Sequence, residues 1–194
     1  VPYQDTGELQ VAIEDVLKKQ SLQIVAPFVK KIIQLYETLQ VRFGVTIVGP
    51  TGAAKTTAYN TLSSALTNLH RDGLSNPKSI YLPVVKTVLS PKCITMGELY
   101  GEFNLLTQEW TDGLASSIMR ACVSSVVKES QWIIFDGPID ALWIENMNTV
   151  LDDNMTLCLA NGERIKLKAT MKCLFEVQDL EVASPATVSR LGVL

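Results

Sequence analysis

Two stretches near the start of the chain repeat apolar residues at helical spacing. Val11, Ile13, Val16 and Leu17 recur across residues 9 to 19, and Val29, Ile32, Ile33, Tyr36 and Leu39 across residues 25 to 39. The period then changes. Val45, Thr46, Ile47 and Val48 form a β-branched run that reads as a buried strand, leading directly into Gly49. Helical spacing resumes over residues 57 to 69. Residues 84 to 89, between Pro83 and Pro91, predict a second strand. Residues 113 to 128 predict a helix with Leu114, Ile118, Ala121 and Val126 on one face. Residues 132 to 135 read as another buried strand, ending at Asp136. A helix over residues 141 to 151 would then pack through Trp143, Met147, Val150 and Leu151. Asn161-Gly162, between TLCLA and RIKL, predicts a hairpin with positive φ at both residues of a type I′ turn. Residues 172 to 177 supply a further strand.

Strands alternating with helices imply a parallel α/β sheet wrapped by helices. The chain has no internal repeat, low-complexity segment or linker, so one domain is expected: leading helices over residues 1–42 and a core over residues 43–194. A length of 194 residues, 47% apolar, suits one large domain with a sizeable core. The mean hydropathy of +0.19 is high and implies that many faces are buried, internally or against neighbours. No run reaches the roughly 18 apolar residues of a membrane span, and no charged-then-apolar leader is expected. The apolar run Leu191-Gly192-Val193-Leu194 at the end reads as the edge of something longer. A net charge of −3 argues against a nucleic-acid partner, which would call for a basic excess.

Cys93, Cys122, Cys158 and Cys173 contain no CxxC pair, and the single histidine, His70, is distant from all of them. Zinc spacing is absent, and buried reduced thiols are expected. His70, beside Arg71 and Asp72, reads as a solvated helix end.

Gly49-Pro50-Thr51-Gly52-Ala53-Ala54-Lys55-Thr56 fits G-x-x-x-x-G-K-[ST] except that Ala54 replaces the second glycine. Backbone N–H groups of such a loop wrap phosphates at the positive end of the following helix. Lys55 would reach the β- and γ-phosphates and Thr56 would hold Mg²⁺. A methyl at residue 54 would crowd the phosphate or penalise a left-handed backbone by about 1 kcal/mol. A phosphate-loop site also needs a carboxylate at the end of another buried strand, and Asp136 supplies it, sharing the cation with Thr56 through water. The next residue, where a hydrolysing enzyme of this kind carries a water-polarising glutamate, is Gly137. Glycine cannot act as a base. Glu145, a turn or two away, reads as a solvated helix residue.

The strings LYGEF, EWTDGL, WIIFDGPIDALWIENMNTVLDDN, NGERIKL and FEVQDLEVASPATVSR together resemble the dynein heavy chain, specifically the second AAA+ module of its motor ring and the axonemal type. The resemblance runs over essentially the whole chain. It implies a three-layer P-loop NTPase fold (the AAA+ large subdomain) with a parallel central sheet and a β-hairpin insert, and without the helical lid that completes such a module. It further implies a module that binds ATP and Mg²⁺ and keeps the nucleotide without turnover, in keeping with Gly137. At the position after the strand of residues 172 to 177, where the family's hydrolysing module has an asparagine, this chain has Gln178 and Asp179, and Asp179 is expected at the nucleotide. Arg190, closing SPATVSR, would be the arginine finger presented to the neighbouring module's γ-phosphate, a surface arginine being the alternative. Implied partners are neighbouring AAA+ modules of the same heavy chain and, through the whole motor, intermediate and light chains and microtubules of the axoneme; no membrane is implied. Two other readings stay open: an active P-loop ATPase or small-molecule kinase, and a nucleotide-free ring scaffold.

Overall fold

The protein is described by a computed structural model over residues 7–75 and 79–194. In chain order its elements are α1 (Gly7–Lys19), α2 (Ala26–Val41), β1 (Gly44–Val48), α3 (Lys55–Arg71), β2 (Val84–Leu89), α4 (Met96–Tyr100), β3 (Gly101–Phe103), β4 (Trp110–Asp112), α5 (Leu114–Ser124), β5 (Ser130–Asp136), α6 (Ala141–Glu145), α7 (Asn148–Leu151), β6 (Thr156–Cys158), β7 (Arg164–Lys166), β8 (Met171–Val177), α8 (Pro185–Arg190) and β9 (Gly192–Val193). A 3₁₀ turn, Pro91–Cys93, follows β2. Among the described residues no helix is long and apolar enough to cross a membrane.

The central sheet is parallel throughout, in the order β2-β5-β8-β1-β9. Burial on both faces explains why its middle strands read as continuous apolar runs. Trp132 and Ile134 of β5, Leu174 of β8, and Val45 and Ile47 of β1 meet Leu9, Ile13, Leu17, Ile32, Leu35 and Leu62 of α1 to α3. On the opposite face Phe135, Trp143 and Phe175 stack with ring centroids 5.1 to 5.9 Å apart, over Met119, Ile144, Met147, Leu157 and Ile165. Helices on one side, the sheet, and helices with a small hairpin on the other make three layers, as the sequence led us to expect. The large apolar area lost from both faces is the main stabilising contribution.

Several local expectations change. The buried side of α1 is Leu9, Ala12, Ile13, Val16 and Leu17, and Val11 points to solvent because α2 and α3 cover the adjoining face. Helix α5 stops at Ser124; it buries Ala115, Ser116 and Met119, and leaves Val126 outside the helix and 95% exposed. The helix expected over residues 141 to 151 is two short helices. Asn146 Nδ2 donates to the Leu142 carbonyl at the break, an example of a polar side chain competing with the helical ladder. Trp143, Met147, Val150 and Leu151 are nevertheless all buried.

The hairpin at Asn161-Gly162 exists, as β6 and β7, with a different turn. Only Gly162 has positive φ (87°). Gly162 N–H donates to the Leu159 carbonyl, Leu159 N–H donates to that of Glu163, and Asn161 Oδ1 accepts from Glu163 N–H. This is a three-residue loop with glycine in the left-handed position, so the asparagine works through its side chain. A second hairpin, β3 with β4, was not foreseen; Phe103 and Trp110 meet edge to face across it.

Candidate functional site

At the C-terminal ends of β1, β5 and β8, facing the start of α3, lies a cleft of about 790 Å³. Thr51, Gly52, Ala53, Ala54, Lys55 and Thr56 line it, while Gly49 and Pro50 are not among the lining residues. Lys55 Nζ donates to the carbonyls of Gly49 (2.6 Å) and Pro50 (2.9 Å), so the ammonium closes the loop on itself. Gly52 (φ 85°) and Ala54 (φ 61°, ψ 26°) both adopt left-handed backbone. The alanine therefore takes up the conformation a glycine would hold more cheaply, at a cost of about 1 kcal/mol. It is the residue from which α3 starts, and the 17-residue helix directs its positive end at the cleft.

Asp136 ends β5 and lines the cleft. Directly across from it in register is Glu176 of β8, which sequence reasoning missed. Thr56 Oγ1 donates to Glu176 Oε1 at 2.6 Å, and Glu176 Oε2 is buried with no hydrogen-bond partner. Tyr59, one turn into α3, is buried beside this pair. Burial first, and then the negative charge of Glu176, push its phenol up to about 12. A hydroxyl and two carboxylates are hard oxygen donors of the kind Mg²⁺ takes. Among the described residues no three acidic, histidine or cysteine side chains gather into a metal cage. A cation here would need further oxygens, as Mg²⁺ takes them from water and phosphate.

Gly137 has φ 146°, and a Cβ built on it would find only the Cβ of Lys92, 4.0 Å away. The position after Asp136 thus has room for a side chain and carries none. Lys92, on the 3₁₀ turn after β2, is the second lysine of the cleft and was also missed. Gln178 Nε2 donates to Thr51 Oγ1 (2.9 Å), tying the end of β8 to the loop, and Asp179 lines the cleft with its Oδ1 accepting from Glu181 N–H. A second cleft of about 640 Å³ adjoins, sharing Lys92, Pro138, Ile139 and Val182.

Other candidates lie elsewhere. Glu145 is exposed and outside the cleft. Arg190 is outside it too, held by Asp152 Oδ1 (Nε, 3.2 Å) and donating from Nη1 to the Ala186 carbonyl. His70 Nδ1 lies 2.9 Å from the Tyr81 carbonyl. Of the cysteines only Cys173 is fully buried; Cys122 is half-buried, and Cys93, on the 3₁₀ turn, and Cys158, at the end of β6, are exposed. One signal for Glu176 was present in the sequence: a carboxylate within the apolar run MKCLFEV must find a polar partner. Nothing local pointed to Lys92.

A family model described as "AAA domain (dynein-related subfamily)" matches residues 44–191, and one described as "Hydrolytic ATP binding site of dynein motor region" matches residues 1–56. The chain is 58% identical to dynein axonemal heavy chain 6 of Homo sapiens over 194 residues, all of this chain and 5% of that protein. It is 54% identical over 190 residues to dynein axonemal heavy chain 1 of Homo sapiens, and 47% identical over 194 residues to dynein axonemal heavy chain 2 of Mus musculus. These cover 98% and 100% of the chain and 4% of each relative. The chain thus spans about one-twentieth of the length of the curated relatives it matches.

Proposed function

The chain belongs to the dynein-related AAA family, and on that premise we propose that it is the second module of an axonemal dynein motor ring, one that holds Mg·ATP with little or no hydrolysis. The observation that carries this is the pairing of the phosphate loop along the cleft with Gly137, which puts no side chain at the position after Asp136 to polarise water. Lys55 would exchange its two carbonyl partners for phosphate oxygens, and the start of α3 would face the same anion. Bound Mg²⁺ would neutralise phosphate charge. Glu176 is a carboxylate in the cleft, yet its hydrogen bond directs it to Thr56, on the cation side. Arg190 would serve a neighbouring module's nucleotide; its position outside this cleft supports that role, and Asp152 would hold the guanidinium in place. Neighbouring modules, intermediate and light chains, microtubules and an axonemal setting belong to the proposal through the whole motor.

A second reading, phosphoryl transfer to a small acceptor, is favoured by the adjoining cleft, which could seat one. Against it, none of the five arginines lines the phosphate cleft. One experiment separates the readings. The chain is incubated with Mg·ATP, desalted, and its bound nucleotide identified by chromatography over hours. Intact ATP near one per chain, lost in Lys55→Ala, is expected. Steady ADP release that Lys55→Ala abolishes would overturn the non-hydrolysing reading, and label passing to an added nucleoside would establish the transferase.

A further inference from the structure

The carboxylate that orients the cation-binding hydroxyl stands on a different strand from the one its motif suggests. In parallel strands residues in register point to the same face. Asp136 and Glu176 are register partners, and Glu176 is also opposite Ile47 of β1. Ile47, Leu174 and Ile134 all pack under α1 to α3, so both carboxylates emerge on the face that α3 covers. Strand β8 lies between β1 and β5, which sets Glu176 nearer than Asp136 to the loop strand. Accordingly it is Glu176 that accepts the hydrogen bond of the Thr56 hydroxyl, at 2.6 Å.

A threonine that donates its proton to a carboxylate turns its oxygen lone pairs outward, toward a cation. The other Glu176 oxygen is enclosed, with the Tyr59 phenol nearby and no closed hydrogen bond to it. A buried acceptor in that state costs free energy until something positive reaches it. Beside it Asp136 adds a second negative charge, so an incoming phosphate without a cation meets repulsion from both carboxylates.

We infer that Glu176 is the positioning residue of the cation site: it aims Thr56 at a divalent cation, makes tight nucleotide binding conditional on that cation, and does so more than Asp136. The inference rests on the nucleotide-binding reading above. Without a divalent cation the carboxylate repels nucleotide; with one, the same charge strengthens binding.

The test is ADP affinity by calorimetry in Mg²⁺ and in excess EDTA, for the unaltered chain, Glu176→Gln and Asp136→Asn, with folding followed by circular dichroism. Glutamine keeps an acceptor for Thr56 and removes the charge. The Mg²⁺ enhancement of affinity should fall about tenfold or more in Glu176→Gln, mainly because binding in EDTA tightens, and fall less in Asp136→Asn. A Glu176→Gln chain with full Mg²⁺ enhancement, beside an Asp136→Asn chain that has lost it, overturns the inference and leaves nucleotide binding standing. An unaltered chain that binds no ADP under either condition overturns both. Should Glu176→Gln not fold, Glu176→Asp is measured instead: drawing the carboxylate back by one methylene should cut the enhancement several-fold, and an unchanged enhancement counts against the inference.

Discussion

At the end of β1 the chain turns through a glycine-rich loop with its lysine, its threonine and two left-handed residues all in place. At the end of β5, two strands away, Asp136 is followed by a glycine on which a Cβ would meet only the Cβ of Lys92, 4.0 Å away. The first strand end carries the loop, lysine and threonine, and the second carries a carboxylate with no side chain at the next position. On the proposed reading, binding groups and hydrolytic groups are carried on separate strands, so one set can be lost while the other persists. Even the departure within the loop fits this contrast. Ala54 places a methyl on a left-handed backbone, whereas Gly137 leaves the position after Asp136 without a side chain.

The strongest way to break the contrast is to return a carboxylate to the second strand end. Gly137→Glu should raise ATP turnover by about 10² to 10⁴ over the unaltered chain, the usual contribution of a positioned general base, measured as phosphate release. Because residue 137 sits at φ 146°, the variant should also lose about 1 kcal/mol of stability in urea unfolding. Stability loss without turnover would mean that the missing base is not what keeps the nucleotide intact.

A smaller effect sharpens the first strand end. Ala54→Gly should stabilise the protein by up to about 1 kcal/mol, because glycine occupies φ 61° without a Cβ penalty. Its ADP affinity should equal or exceed that of the unaltered chain. Destabilisation would indicate that the methyl makes packing contacts that outweigh the backbone strain.

The smallest effect reads the carboxylate between the two ends. Tyr59, with its phenol at about 12, should stay neutral in the folded protein well above the usual value near 10. Tyr36 behaves alike, raised to about 12 by burial and then by Tyr81. Unfolded tyrosines release protons from about pH 10, so the unfolded state binds fewer protons there and stability falls as pH rises from about 10 through 12. Ultraviolet titration should show Glu176→Gln lowering the Tyr59 transition and leaving Tyr36 in place.

Much of this was legible along the chain. The phosphate loop reads locally because its chemistry is backbone and next-neighbour chemistry: loop N–H groups, one lysine and one threonine within eight positions. Gly137 reads locally for the same reason, as one residue beside the strand-ending Asp136. The middle strands β1, β5 and β8 were legible because burial on both faces forces near-continuous apolar runs, whereas β9, the short α5, the break at Asn146 and the hairpin turn were not. Those depend on which neighbour covers a face or satisfies a carbonyl, and a single stretch of sequence does not contain its neighbours.

The sequence by itself determined the fold class, the loop, the strand end at Asp136 and the glycine that follows it, since each is written in a contiguous run with its own periodicity or motif. Only the tertiary structure decided which carboxylate meets Thr56 and that Lys92 stands against Gly137. Alternation in MKCLFEV tells that Glu176 shares a face with Leu174. That this face lies under the start of α3, between the loop strand and Asp136, follows from strand order and parallel register, which are fixed by packing across more than a hundred residues of intervening chain.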